Sequence, residues 1–511
     1  MTTLRLRPAE SEPFVASELS VWASAVAISA GSLALYLYLH SASMKVGVVV
    51  LGGALYALGA YLSGNARLFT LWALLMTVPF DLSKRLTASI SKMGGESSFR
   101  LEMSDPFIAV LAFFLIADLW TGRRPTIRIP AIIWIWFAIM LMGVLDVVLG
   151  PWRLTAAHEV FRMGKVAVLF IVVCNELTRP KRLVHCAAGL TLAAILQSVA
   201  GLAQYATRKQ FGLDLLGETG AGTLDQLAAD SVSSEKVFRA GAFMNHPNVF
   251  GIFLAAVLAI AVGAMLLKIG RGYRALFLVG TVLGMSALIT TMSRSGWLSF
   301  AVAFTLLLLL LILHPESRRQ SVVGATGASA VLLVVCIVFS GPILTRVLES
   351  KSSAMLSRME YIRTSTGMIG AKPLFGWGLN SYVYAAAPFT PDGARAALEE
   401  YKGTAAHPGN WLPPVHNIYL LWWAETGLVG LLLHMSVWMS VVWMGVRNLK
   451  IREPVLYIIN AACLCGMVAF LVDGLFSFSL RINSILRLFW VLAAMITAIR
   501  YWRLKPTTSW R

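Results

Sequence analysis

An imidazole at the start of an apolar run, and two guanidinium groups at turns between apolar runs, are the residues here best suited to chemistry. The stretch PPVHNIYLLWWAETGLVG, residues 413–430, opens with His416 and Asn417 directly after two prolines. A residue before proline is pushed out of the α region. Pro413 and Pro414 therefore deliver His416 at a helix start with little backbone freedom. The positive end of a helix lowers an imidazole pKa and keeps the ring neutral, able to accept a proton from a hydroxyl. Glu425 further along should face a protein interior rather than lipid, and Gly427 and Gly430 leave room for a neighbouring helix. The blander reading of the same stretch is an interfacial His and Trp belt.

Arg294 lies in TTMSRSGWLSF, a gap of a few residues between two apolar runs. Ser-Arg-Ser-Gly lets the backbone turn sharply and begin a helix with free N–H groups. Arginine beside a helix N-terminus makes a cradle for phosphate or an oxyanion, although an arginine reaching for lipid head groups would look the same. Arg239 lies in VFRAGAFMNHPNVFGIFL, where Pro247 suits a first helical turn and Asn245 is a candidate cap. Arg239 and His246 have no such structural explanation, unless His246 is simply an interfacial hydrogen-bonding group. Guanidinium groups fixed in a site shielded from water stabilise charge on a departing phosphate. His407 and His416 have no partner carboxylates at metal-ligand spacing.

These residues must be placed by a hydrophobic scaffold. The chain has 511 residues, 58% hydrophobic and 13% charged, with a mean hydropathy of +0.72. A soluble domain carries about 25% charged residues. Apolar runs recur near 19–40, 45–62, 66–80, 105–120, 129–149, 157–177, 183–205, 248–267, 274–292, 296–313, 321–341, 416–444, 454–480 and 484–502. The fold class expected is all-α, a polytopic membrane protein of roughly 14 transmembrane helices. The N-terminal MTTLRLRP precedes a run too long for a signal peptide, which reads as a retained span.

The net charge of +18 does not point to nucleic acid, because Lys and Arg cluster in short gaps such as Arg123-Arg124, Lys181-Arg182 and Arg447 to Arg452. That is the positive-inside pattern. With a cytoplasmic N-terminus, alternation puts every such cluster inside and both termini in the cytoplasm. The expected organisation is a tail over 1–18, spans over 19–205, an outer loop over 206–247, spans over 248–341, a large outer loop over 342–415, spans over 416–503 and a tail over 504–511. Within the large loop, residues 354–382 suggest a short amphipathic helix followed by a Pro/Gly-punctuated turn. Arg239, Arg294 and His416 then share the outer face. The five cysteines lie in or beside apolar runs, against disulfides or a zinc site.

FRAGAFMNHPNVFGIFL, TTMSRSGWLSF, SRMEYIRTSTGMIGAKPLFGWGLNSY and HNIYLLWWAETGLVG together resemble, in order, spacing and sidedness, the signatures of the O-antigen ligase and polymerase superfamily. The resemblance covers about residues 235–480. It implies an integral glycosyltransferase of the GT-C type that uses an undecaprenyl-pyrophosphate-linked oligosaccharide at the periplasmic face of the bacterial inner membrane, with no metal or other cofactor. It further implies that Arg239 and Arg294 bind pyrophosphate and that His416 is the base or positioner for the acceptor hydroxyl. His246, Asn248 and Asn417 are expected substrate-binding residues. Arg358 and Arg363 would hold the acceptor or a second lipid carrier, or else form a solvated helix face. A chain-length regulator and a flippase are candidate partners. Arg481 is expected to form a structural ion pair with Asp473.

The number of spans and the long loop favour a polymerase of O-antigen, exopolysaccharide or capsule over a ligase acting on lipid A-core. A transporter of lipid-linked sugars is the alternative of another class. Inverted repeats and ionisable residues near the midplane would mark it, whereas the unusual polar residues here gather at one face.

Overall fold

The computed structural model describes residues 44–87, 96–124, 126–213, 218, 238–244, 246–314, 318–341, 343–344, 352–390 and 414–501. The expected span at 19–40, the candidate cap Asn245 and His407 lie outside these residues.

Apolar runs become helices because only a helix satisfies every backbone polar group within one segment. In chain order they are α1 (Met44–Leu62), α2 (Ala66–Thr77), α3 (Asp105–Trp120), α4 (Ile132–Leu149), α5 (Arg153–Glu176), α6 (Pro180–Thr207), α7 (Pro247–Met265), α8 (Arg271–Thr290), α9 (Arg294–Leu313), α10 (Arg318–Val338), α11 (Ser352–Ala371), the short α12 (Tyr382–Ala385), α13 (Ile418–Asn448), α14 (Pro454–Asp473) and α15 (Asn483–Tyr501). Their starts follow local chemistry. Asn65, Ser293 and Glu453 each accept a hydrogen bond from a backbone N–H two or three residues into the helix they precede, while Pro180, Pro247 and Pro454 occupy first turns.

Eight of these helices, α4, α6, α7, α8, α9, α13, α14 and α15, are long and apolar enough to cross a membrane. The expectation of fourteen counted shorter runs too. Helix α2 has only 12 residues and α3 only 16, while α5 carries Glu159, Arg162 and Lys165. Apolar character alone does not separate a spanning helix from one buried among others. Helix α7 lies at the centre, nearly every residue buried, and packs against α6, α8, α9 and α14. A Cβ on Gly466 would lie 3.2 Å from Ala256 O, so α14 and α7 approach backbone to backbone there.

The all-α expectation needs one amendment. Ser83–Arg85 (β1) and Arg100–Glu102 (β2) pair antiparallel, with Lys84 opposite Leu101. This hairpin is tied down by Asp105, whose Oδ2 accepts from Glu102 N at 2.9 Å and from Lys165 Nζ at 2.9 Å.

Helix α13 is interrupted. Gly427 has φ of 67°, and the residues around it pair with the segment following α11 rather than with their own helix. Trp377 N and Gly378 N donate to Ala424 O (3.1 Å) and Glu425 O (2.7 Å), while Leu428 N and Val429 N donate to Pro373 O (2.8 Å) and Leu374 O (3.2 Å). A Cβ on Gly427 would lie 2.2 Å from the Leu374 backbone. The glycine thus admits a loop backbone, where the sequence suggests room for a helix. The helix and Pro/Gly turn expected over 354–382 are α11, whose apolar residues do not form one face, and this inserted loop.

Candidate active site

The turn that ends α8 and the start of α7 hold Arg239 between them. Its Nε donates to Thr291 O at 3.0 Å and its Nη2 to Asn248 Oδ1 at 2.7 Å, with the side chain only 9% exposed. His246 precedes α7 and caps it, its Nδ1 accepting from Asn248 N at 3.0 Å. Burial, then the Arg239 guanidinium and the His416 ring, push the His246 pKa down to about 3. The two histidines, far apart in sequence, therefore share one site with Arg239 and Asn248.

Arg294 opens α9 at the same turn. Ser293, whose Oγ accepts from Gly296 N at 3.2 Å, caps the helix, and the Arg294 side chain is exposed. The turn is tight because Met292 adopts a φ of 51°, and because a Cβ on Gly296 would already lie 3.1 Å from the Gly251 backbone of α7. The next residue, Ser295, places its hydroxyl against the Asp473 carboxylate at the end of α14, which Ser479 also reaches. Asp473 is 2% exposed, and its Oδ1 has no hydrogen-bond partner.

His416 sits beside that carboxylate's helix end, because Ile418 N donates to Gly474 O at 2.9 Å. Its ring lies nearly parallel to Tyr361 of α11 (5.8 Å between centroids, 18°) and edge-on to Phe478 (5.2 Å, 72°). The Nδ1 atom is buried with no hydrogen-bond partner. Burial first, then the charge of Arg358, pushes the pKa down to about 4. The sequence anticipates a neutral ring from the helix end, whereas burial and a nearby cation are the causes here. Asn417 is spent on structure. Its Oδ1 caps α13 by accepting from Leu420 N at 3.0 Å, and its Nδ2 donates to Leu475 O at 3.2 Å. Arg358 and Arg363 are exposed on α11, and Arg358 acts on His416 through charge alone.

Beneath this group lies an ion network that sequence reasoning missed. Arg481 donates to Glu425 Oε2 at 2.9 Å and to Asn380 Oδ1 at 2.7 Å, and stands 3.7 Å from Glu159 Oε1. Glu159 is bridged by Arg162. Arg481 thus pairs with Glu425 rather than with Asp473 as expected. Helix α14 ends at Asp473 and the chain turns through 474–478, so counting helical turns to Arg481 fails. A signal was present: Glu159 and Arg162, three residues apart in an apolar run, should mark a buried pair. A similar cluster anchors the hairpin, with Lys165 bound to Asp105 at 2.9 Å and Arg487 to Glu102. Among the described residues no three His, Cys, Asp or Glu side chains are grouped to hold a metal ion.

The fold and its eight long apolar helices are those of a polytopic helical membrane protein. Residues 279–435 match the O-Antigen ligase family. That segment includes Arg294, His416 and the break at Gly427, and the match supports the likeness to the O-antigen ligase and polymerase superfamily. Arg239, His246 and Asn248 precede the matched residues. No curated protein matches the chain.

Proposed function

We propose that the protein is a polysaccharide polymerase of the bacterial inner membrane. It transfers an undecaprenyl-pyrophosphate-linked oligosaccharide onto a sugar hydroxyl of a lipid-linked repeat unit at the periplasmic face, with both termini cytoplasmic. The observation that carries this reading is the meeting of His416, His246, Asn248 and Arg239 at one end of the bundle. That end also holds the N-terminus of α9, which begins with Arg294.

In this scheme the donor pyrophosphate lies against Arg239 and Arg294. Asn248 and Thr291 O, both neutral acceptors, orient the Arg239 fork. The bond between the anomeric carbon and the pyrophosphate oxygen breaks, and the guanidinium groups stabilise the charge left on that oxygen. The acceptor oxygen bonds to the anomeric carbon and its proton passes to His416, which is neutral at pH 7 and free to take it. Arg358 and Arg363, exposed on α11, would steer the acceptor, and His246 and Asn248 would shape the donor side. A flippase supplying the donor and a chain-length regulator fit such a reaction.

The family's description as O-Antigen ligase suggests a second reading, a ligase that moves the finished glycan onto lipid A-core. Deleting the coding sequence and profiling surface glycan separates the two. A single repeat unit left on core indicates a polymerase. Long glycan stranded on the carrier lipid indicates a ligase. An unchanged profile rejects both.

A further inference from the structure

A histidine that moves protons is usually oriented by a hydrogen bond to its second ring nitrogen. His416 has none, since Nδ1 is buried without a partner. Its ring is held by the Tyr361 face, the Phe478 edge and the backbone on either side. One buried residue touches two of these supports. Tyr382 is 2% exposed, and its hydroxyl meets Ser365 Oγ at 2.8 Å and donates to Tyr361 O at 3.4 Å. The same hydroxyl also accepts from the backbone N–H of Val415, the residue before His416. Tyr382 is itself pinned from below. Its N–H donates to Glu425 Oε1 at 3.1 Å, Glu425 is held by Arg481, and the preceding loop is paired into the break in α13.

We propose that Tyr382 is a positioning residue for His416, whose hydroxyl fixes the imidazole by tying together the Tyr361 wall and the Val415 backbone. The catalytic consequence rests on the proton-accepting role of His416 given above, but the geometric claim does not. The ion network thereby reaches the site: Arg481 and Glu425 hold Tyr382, and Tyr382 holds the two elements that bracket the ring. A ring kept in place by packing and one relayed hydroxyl should be sensitive to that hydroxyl, because misplacing a reacting group by about 1 Å can cost about 100-fold in rate.

Tyr382→Phe keeps the ring and removes the hydroxyl. Ser365→Ala removes one of its partners and leaves the other two. In the purified full-length protein, the rate at which diethyl pyrocarbonate modifies His416 is read by peptide mass spectrometry. His185, bonded to Tyr273 at the opposite end, serves as the internal reference. Turnover and donor KM are read alongside. Tyr382→Phe is expected to raise His416 modification several-fold relative to His185, and to lower kcat by about tenfold or more with little change in donor KM. Ser365→Ala should move both in the same direction by less. Wild-type His416 reactivity in Tyr382→Phe overturns the proposal, and so does an equal rise at His185 and His416, which reports general loosening. If Tyr382→Phe does not fold, unchanged His416 reactivity in Ser365→Ala overturns it. Raised His416 reactivity together with undiminished transfer in His416→Ala supports the positioning and removes the proton-accepting role.

Discussion

Arg481 and His416 lie at the same end of the bundle, yet the fold treats them in opposite ways. Arg481 is anchored by charge: two Glu425 oxygens, Asn380 and, slightly further away, Glu159 meet its two terminal nitrogens, while its Nε has no hydrogen-bond partner. His416 is held by aromatic rings, with one nitrogen buried and unbonded. A buried ion pair fixes structure because breaking it strands a charge. A neutral base held by packing keeps its lone pair for a substrate. On the proposed function, the difference separates the part of this end that supports from the part that reacts. At the opposite end of the bundle Glu176 receives both Arg67 and Arg182, and Asn175 receives Arg124.

The largest effect should come from breaking the supporting side. Glu425→Ala leaves Arg481 buried beside a cavity and should destabilise the protein by about 3–5 kcal/mol. The loss is measured as a fall in Tm and in folded yield in detergent. A variant with wild-type Tm would mean that the pair is not structural. Gly427→Ala should cost less, on the order of 1–2 kcal/mol for a left-handed backbone position, and should also push the Leu374 backbone out of the break. Its mark is faster hydrogen exchange at Leu428 and Val429, and unaltered exchange there would contradict the pairing.

The reacting side should respond to pH. His416 and His246 stay neutral in the folded protein down to about pH 4 and about pH 3, held there chiefly by burial. The unfolded chain takes up these protons near pH 6.5. Stability from both histidines is therefore complete above about pH 6.5 and falls as pH drops toward 4, because the unfolded state then binds more protons. Turnover, after correction for folded fraction, should stay flat between pH 8 and about 5 and decline as pH nears 4. An inflection near 6.5 would mean that His416 is exposed to water during the reaction.

Much of the scaffold was legible because burial in a bilayer is written along the chain. The run at 105–120 is α3, and the Asn-Pro near 247 opens α7. Runs of apolar letters hide whether a helix crosses alone or lies among others, so helices such as α2, α3 and α5 count as spans in the sequence without meeting the length and composition of the eight. The break in α13 showed only as two glycines, because its partner, the backbone of 373–378, lies about fifty residues earlier in the chain. His416, Arg239, His246 and Asn248 are candidates in the sequence because polar side chains at or near apolar helix starts stand out. The Arg481 network was not, since Glu159, Glu425 and Asn380 converge from distant segments and only the fold brings them together. Asn417 attracted notice for the same reason as His416, but its amide is occupied by capping.

The central claim is that His416 takes the proton of the acceptor hydroxyl. The direct test is transfer by purified His416→Ala with a polyprenyl-pyrophosphate-linked glycan donor, with Tm and donor binding measured on the same preparation. The expected result is a loss of turnover of at least about 100-fold, with Tm and donor affinity close to wild type. Glycan product formed at the wild-type rate would contradict the account.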